Sequence, residues 1–170
     1  MSRILVCSLA DMPDLAHRLR PGRVISLLEP EWQPATPSGL APEHHLRVEI
    51  DDITSPEPDQ ILPERAHVER LIAFLEDARG QSLLIHCYAG ISRSPAAALV
   101  AMVLDAPGRE EAAAVALRKA APHAQPNRLL IELSDDLLGR GGLLVAALET
   151  MGPASSAYPE RGLLELPRSV

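Results

Sequence analysis

His86-Cys87-Tyr88-Ala89-Gly90-Ile91-Ser92-Arg93-Ser94 is the stretch on which the fold of this chain turns. Before it, Ser82-Leu83-Leu84-Ile85 reads as the end of a buried strand, and after it Pro95 to Leu104 is apolar at almost every position, as in a buried helix. A turn between such a strand and helix aims several backbone N–H groups at one point. Unsatisfied N–H groups of the first helical turn and the positive end of the helix dipole together bind an anion without any charged side chain. Gly90 lets the turn wind tightly. Cys87 and Arg93 stand six positions apart in it, so a nucleophile lies at the base of an anion trap with a guanidinium beside it.

These residue types fit one reaction: a thiolate attacks phosphorus, and the resulting cysteinyl-phosphate is hydrolysed. A thiol with a reference pKa of about 8.5 is only a few per cent ionised at neutral pH, so this chemistry needs surroundings that favour the thiolate. Full ionisation multiplies the reactive fraction by only about thirtyfold, so stabilising the transferring phosphoryl group must contribute more. Its equatorial oxygens carry charge, and the planar fork of Arg93 can grip two of them while backbone donors of Tyr88, Ala89, Gly90, Ile91 and Ser92 hold the third. Lysine is a poorer substitute for Arg93. Ser94 is placed to hydrogen-bond the sulfur as it is expelled. His86 is expected to fix loop geometry through a buried hydrogen bond rather than to transfer protons.

The order His-Cys, five residues, Arg, then Ser or Thr resembles the signature loop of the cysteine-dependent protein tyrosine and dual-specificity phosphatases. The resemblance implies the fold of that family: α/β, with a central, mostly parallel sheet of four to five strands flanked by helices. It also implies hydrolysis of phosphotyrosine monoesters, and also of phosphoserine or phosphothreonine, with no cofactor. Pro126-Asn127 ahead of Leu129, Leu130, Ile131 and Leu133 is similar to the helix start found downstream of the loop in the dual-specificity group, with Asn127 as its N-cap. The likeness thus extends over about residues 45 to 138, and its loop is the specific part. There is no equivalent of the long N-terminal phosphotyrosine-recognition segment of the large receptor-type enzymes, and no Trp-Pro-Asp sequence, so the closer resemblance is to small bacterial members.

A phenolate or alkoxide leaves poorly unless a positioned carboxyl protonates it. His45-Leu-Arg-Val-Glu-Ile50 alternates like a strand and runs into Asp51-Asp52, ahead of a proline-punctuated loop. Related phosphatases carry their acid on such a loop, at the end of a strand about three dozen residues before the cysteine. Asp52 falls at that position and Asp51 is the alternative.

At 170 residues and 46% hydrophobic content, the chain suffices for one well-buried core, so residues 1–150 are expected as one phosphatase domain. Aromatic residues make up only 2%, leaving the core to Leu, Val, Ile and Ala. A net charge of −7 argues against nucleic-acid and anionic-membrane partners. The expected partner is a phosphorylated protein or small phosphomonoester, and the oligomeric state is left open. Two cysteines do not make a disulfide framework, and a nucleophilic Cys87 must stay reduced, which points to the cytoplasm. The scattered histidines lack ligand spacing, so no metal site is expected.

Strands are expected at Ile4–Leu9, Arg23–Leu28, His45–Ile50 and Leu83–Cys87, and a short helix at Asp14–Arg20. Helices follow at Pro63–Arg79, Arg109–Ala120, Asn127–Leu138 and Leu143–Thr150, giving a helical C-terminal third. Ligands of such sheets sit beyond the carboxyl ends of the strands, where Asp52 and Cys87 would lie. The proline-rich stretch from Glu29 to His44 holds the sole tryptophan, Trp32, and reads either as a substrate-facing loop or as a surface connection. Residues 151–170 have no sustained period and are expected as a flexible tail.

Two other functions fit parts of this pattern. One is a catalytically weak module that binds phosphate or phosphopeptide. The other is a thiol-redox enzyme acting on oxyanions, for which Cys7 is the sole candidate resolving cysteine. Pro13, not arginine, stands six residues after Cys7, so Cys7 reads as a buried strand residue.

Overall fold

The computed structural model describes residues 3–156 and 162–168. Four strands, β1 (Arg3–Cys7), β2 (Arg23–Leu28), β3 (His45–Glu49) and β4 (Leu83–His86), run parallel, and β5 (Leu164–Pro167) adds one antiparallel edge. The sheet order is β3-β2-β4-β1-β5, which puts the strand leading to Cys87 in the middle. Helices α1 (Met12–Leu19), α2 (Arg65–Asp77), α3 (Arg93–Asp105), α4 (Glu110–Ala120), α5 (Arg128–Leu137) and α6 (Leu143–Thr150), with short 3-10 turns at Pro30–Trp32 and Pro42–His44, complete the described elements.

Strand alternation divides the core between two faces. Leu5, Cys7, Val24 and Leu84 pack with Met12, Leu15 and Ala16 of α1 on one face. Ile4, Val6, Ile25, Leu27, Leu83 and Ile85 point the other way, into the larger core with α2 to α6. Helix α3 is buried from Arg93 through Leu104 because it runs through the middle of that layer. Its alanines at 96, 97, 98 and 101, all buried, let the sheet and the neighbouring helices approach closely in a core nearly without aromatics.

The expected strands and helices are present with ends shifted by a few residues. Two shifts matter for the site. Cys87 has left β4 and begins the turn, and Ser8 and Leu9 have left β1, where Leu9 N donates to the Tyr88 carbonyl at 3.0 Å. The expected flexible tail is corrected in part: Leu164–Pro167 pairs with Val6–Arg3. Leu166 fills the large core, and the Arg168 guanidinium donates to Asp105 at 2.6 Å and to the Ala78 carbonyl at 2.8 Å. These contacts fix a segment whose own four residues carry no readable period. Residues 157–161 and 169–170 of that expected tail lie outside the described residues.

Candidate active site

The turn from β4 into α3 closes over the Cys87 sulfur. Cys87 is 2% exposed, its Sγ lies 3.1 Å from Ser94 Oγ, and the Gly90 N–H donates to Sγ at 3.3 Å. The carbonyls of the turn are tied outward: Tyr88 O accepts from Leu9 N at 3.0 Å, Ile91 O from Gln125 N at 2.8 Å, and Ser92 O from Asn127 N at 3.2 Å. In a trans peptide the N–H points opposite to the C=O, so these three bonds direct the N–H groups of Ala89, Ser92 and Arg93 to the inner side. The first turn of α3 opens on the same side, adding the positive end of its dipole. Gly90 has φ +77°, and a Cβ there would come within 2.9 Å of the Cys7 carbonyl carbon and oxygen. Glycine is therefore required twice over, by conformation and by the close approach of β1.

Arg93 is 3% exposed. Its Nη1 donates to the Ile50 carbonyl at 2.7 Å and pairs with Glu29 Oε1 at 3.1 Å, while its buried Nε has no partner among the described residues. One edge of the fork is thus anchored to the protein and leaves an unsatisfied donor for an incoming oxyanion. Asp52 stands across the cleft on the loop after β3, where its Oδ1 accepts from Ser92 Oγ at 2.6 Å and from Asn127 Nδ2 at 3.0 Å. Asp51 differs: its Oδ2 accepts from Ile61 N at 2.6 Å and its own N–H donates back to Ile61 O at 2.9 Å, which closes the 51–61 loop.

The cleft has a volume of about 790 Å³ and is lined by Cys87, Tyr88, Ala89, Ile91, Ser92 and Arg93, with Asp52 opposite. Gly90 is buried behind this lining and His86 lies behind the turn, fully buried. Tyr88, 55% exposed, meets Trp32, 51% exposed, edge to face with ring centroids 5.7 Å apart. The connection after β2 therefore reaches the rim of the cleft, and Glu29 at its start is part of the lining. Cys7 is buried on the α1 face, and that burial, with lesser contributions from Asp11 and Cys87, pushes its thiol up to about 12.

One site residue escaped the sequence, as did the second role of another. Glu29, directly after β2, pairs with Arg93; only its place beyond a parallel strand's carboxyl end could have pointed to it. Asn127 does cap α5, its Oδ1 accepting from Leu130 N at 3.1 Å, and its amide also donates to Asp52 and to the Ile53 carbonyl.

No family model matches the chain. Dual specificity protein phosphatase 12 of Mus musculus is 31% identical over 111 residues, covering 64% of this chain and 32% of that protein. The Rattus norvegicus protein of the same name is 34% identical over 80 residues, or 46% of this chain and 22% of the relative. The chain spans about a third or less of the length of the curated relatives it matches. Among solved structures, a mouse putative dual specificity phosphatase complexed with zinc tungstate superposes with a TM-score of 0.57 at 24% identity, covering 81% of this chain and 86% of that one. The chain has the fold of the dual-specificity phosphatases. The PTP-2 phosphatase of Cydia pomonella shares this fold over more of the chain, with a TM-score of 0.59 at 19% identity and coverage of 95% and 92%. In the dual-specificity phosphatase fold as it stands here, the Cys87 turn occupies the carboxyl end of the central strand.

Proposed function

We propose that this chain is a cysteine-dependent phosphatase of phosphotyrosine monoesters, acting also on phosphoserine and phosphothreonine. The observation that carries this is the convergence of Cys87 Sγ, the unpartnered Nε of Arg93 and the Asp52 carboxyl on one cleft. The Cys87 thiolate attacks phosphorus and the P–O bond to the leaving group breaks. With Asp52 Oδ1 occupied by two donors, its proton resides on Oδ2 and passes to the leaving oxygen. The carboxylate then takes a proton from water, that water attacks phosphorus, and the P–S bond breaks to release inorganic phosphate. Ser94 donates to the departing sulfur, and Arg93 with the inward N–H groups stabilises the phosphoryl oxygens in both steps. Glu29 holds Arg93 in place, and Asp51 serves the loop rather than the reaction.

The Trp32–Tyr88 rim supports an aryl phosphate as the preferred monoester, since an aromatic wall beside the nucleophile gives a phenyl ring an apolar face to pack on. The 1–150 segment, with β5 added to its sheet, is the catalytic domain in this scheme, of the small bacterial type because Asp52 follows Ile50-Asp51 rather than Trp-Pro, and a reduced Cys87 suits the cytoplasm. Phosphate release from para-nitrophenyl phosphate, inhibited by vanadate, tests the assignment. Cys87→Ser is expected to abolish release while still binding vanadate. Sustained turnover by Cys87→Ser would sink the mechanism, and absence of turnover by the unaltered chain would favour a phosphate-binding module.

A further inference from the structure

His86 stands behind the nucleophile turn with no proton to transfer, yet it ends a continuous run of buried hydrogen bonds. Its Nε2 lies 2.6 Å from Ser26 Oγ on β2, and the same hydroxyl lies 2.8 Å from His45 Nε2 on β3. His45 Nδ1 meets Thr36 Oγ1 at 3.2 Å, and Arg47 Nη2 donates to that Thr36 oxygen at 2.9 Å. At the other end, His86 Nδ1 faces the Cys87 carbonyl at 3.4 Å. Ser26 and His86 are fully buried and His45 nearly so.

The Cys87 end of this run dictates its polarity. A carbonyl only accepts, so His86 Nδ1 carries the proton and, in a neutral ring, Nε2 accepts from the Ser26 hydroxyl. Ser26 then accepts from His45 Nε2–H, whose Nδ1 accepts from the Thr36 hydroxyl. Thr36 in turn accepts from Arg47, which only donates. With both imidazoles neutral, every proton in the run has one place. Burial holds both well below the usual histidine range, at about 4, and for His45 the Arg47 and His86 charges add to it.

We propose that Ser26 and His45 are positioning residues for the nucleophile turn: through His86 they hold the Cys87 carbonyl outward, and through Thr36 they tie that turn to the 29–44 connection. The Cys87 carbonyl and the Tyr88 N–H share one peptide plane and point in opposite directions, so holding the oxygen against His86 aims the N–H at the bound oxyanion. Without the Ser26 hydroxyl, only the long 3.4 Å contact with the Cys87 carbonyl selects the His86 tautomer, and Nε2 is left buried without a donor. In the other tautomer the Nδ1 lone pair faces the carbonyl lone pairs, the peptide swings, and the oxyanion loses a donor. This deepens the phosphatase assignment, on which only its turnover readout rests.

Calorimetric titration of the full chain with vanadate reads the oxyanion site without needing turnover. Ser26→Ala is expected to bind vanadate about tenfold more weakly, with kcat/KM on para-nitrophenyl phosphate falling in parallel, and Ser26→Thr, which restores the hydroxyl, to recover to within about twofold. A Ser26→Ala chain that melts at a lower temperature yet binds vanadate like the unaltered chain overturns the proposal, as does a folded Ser26→Thr that fails to recover. If Ser26→Ala does not fold, Thr36→Val at the half-buried end of the run decides: about two- to threefold weaker vanadate binding supports the relay, and unchanged affinity rejects it. An unaltered chain that binds vanadate and shows these shifts but releases no phosphate rejects the phosphatase assignment and leaves the relay standing.

Discussion

Gly90 and Asn127 each meet two demands at once, and substitutions there separate the chemistry from the scaffold. Gly90→Ala would force a Cβ against the Cys7 carbonyl at 2.9 Å in a backbone with φ +77°. The expected cost is about 2–4 kcal/mol, read as a lower melting temperature, with a fall in kcat/KM because the only relief is for the turn to move away from β1. Asn127→Ala removes both the α5 cap and the amide bond to Asp52. Loss of the cap is expected to cost about 1 kcal/mol, whereas loss of the amide leaves the acid less well placed. A misplaced acid hurts most where the leaving group most needs its proton, so kcat should drop further on phenyl phosphate than on para-nitrophenyl phosphate. Equal losses on the two substrates would mean that Asn127 acts on stability alone.

At the scale of elements, β5 shows how an edge strand without a sequence signature is held. Four residues, Leu-Glu-Leu-Pro, pair with β1, whose sequence lies some 160 positions away, and at the next residue the Arg168 guanidinium reaches Asp105 and the Ala78 carbonyl. Arg168→Ala strands the Asp105 carboxylate, 14% exposed, without its closest partner. A loss of about 2–3 kcal/mol in denaturant unfolding is expected, with KM on para-nitrophenyl phosphate unchanged, because this edge lies two strands from β4, which leads to Cys87, and outside the residues that line the cleft. Helix α3 is the opposite case: apolar on every side, it is buried on every side, and its period could not reveal which face meets the sheet.

For the whole molecule, the buried histidines couple stability to pH. Both His45 and His86 are neutral when folded, with values lowered from 6.5 to about 4, whereas the unfolded chain binds protons below about 6.5. The unfolded state therefore holds more protons between about pH 4 and 6.5, and stability is full above that window and lost as pH falls through it. Thermal melts from pH 7 down to pH 4 should show this fall, and His45→Gln should flatten the slope by up to about 1.4 kcal/mol per pH unit. An unchanged slope would mean that His45 is not neutral in the folded chain. The order of elements from β1 to α6, the turn with Cys87, Arg93 and Ser94, and the carboxylate pair after β3 were all legible in the sequence, because each follows from local period, turn chemistry or fixed spacing. The sequence put Asp52 ahead of Asp51, and tertiary structure gave the two different surroundings: Asp52 bonds Ser92 and Asn127 at the cleft, whereas Ile61 holds Asp51 in its loop. Tertiary structure alone brought Glu29 to Arg93, Trp32 to Tyr88 and residues 164–167 to β1. Such contacts join residues far apart in the chain, and no local pattern records a partner that only folding supplies.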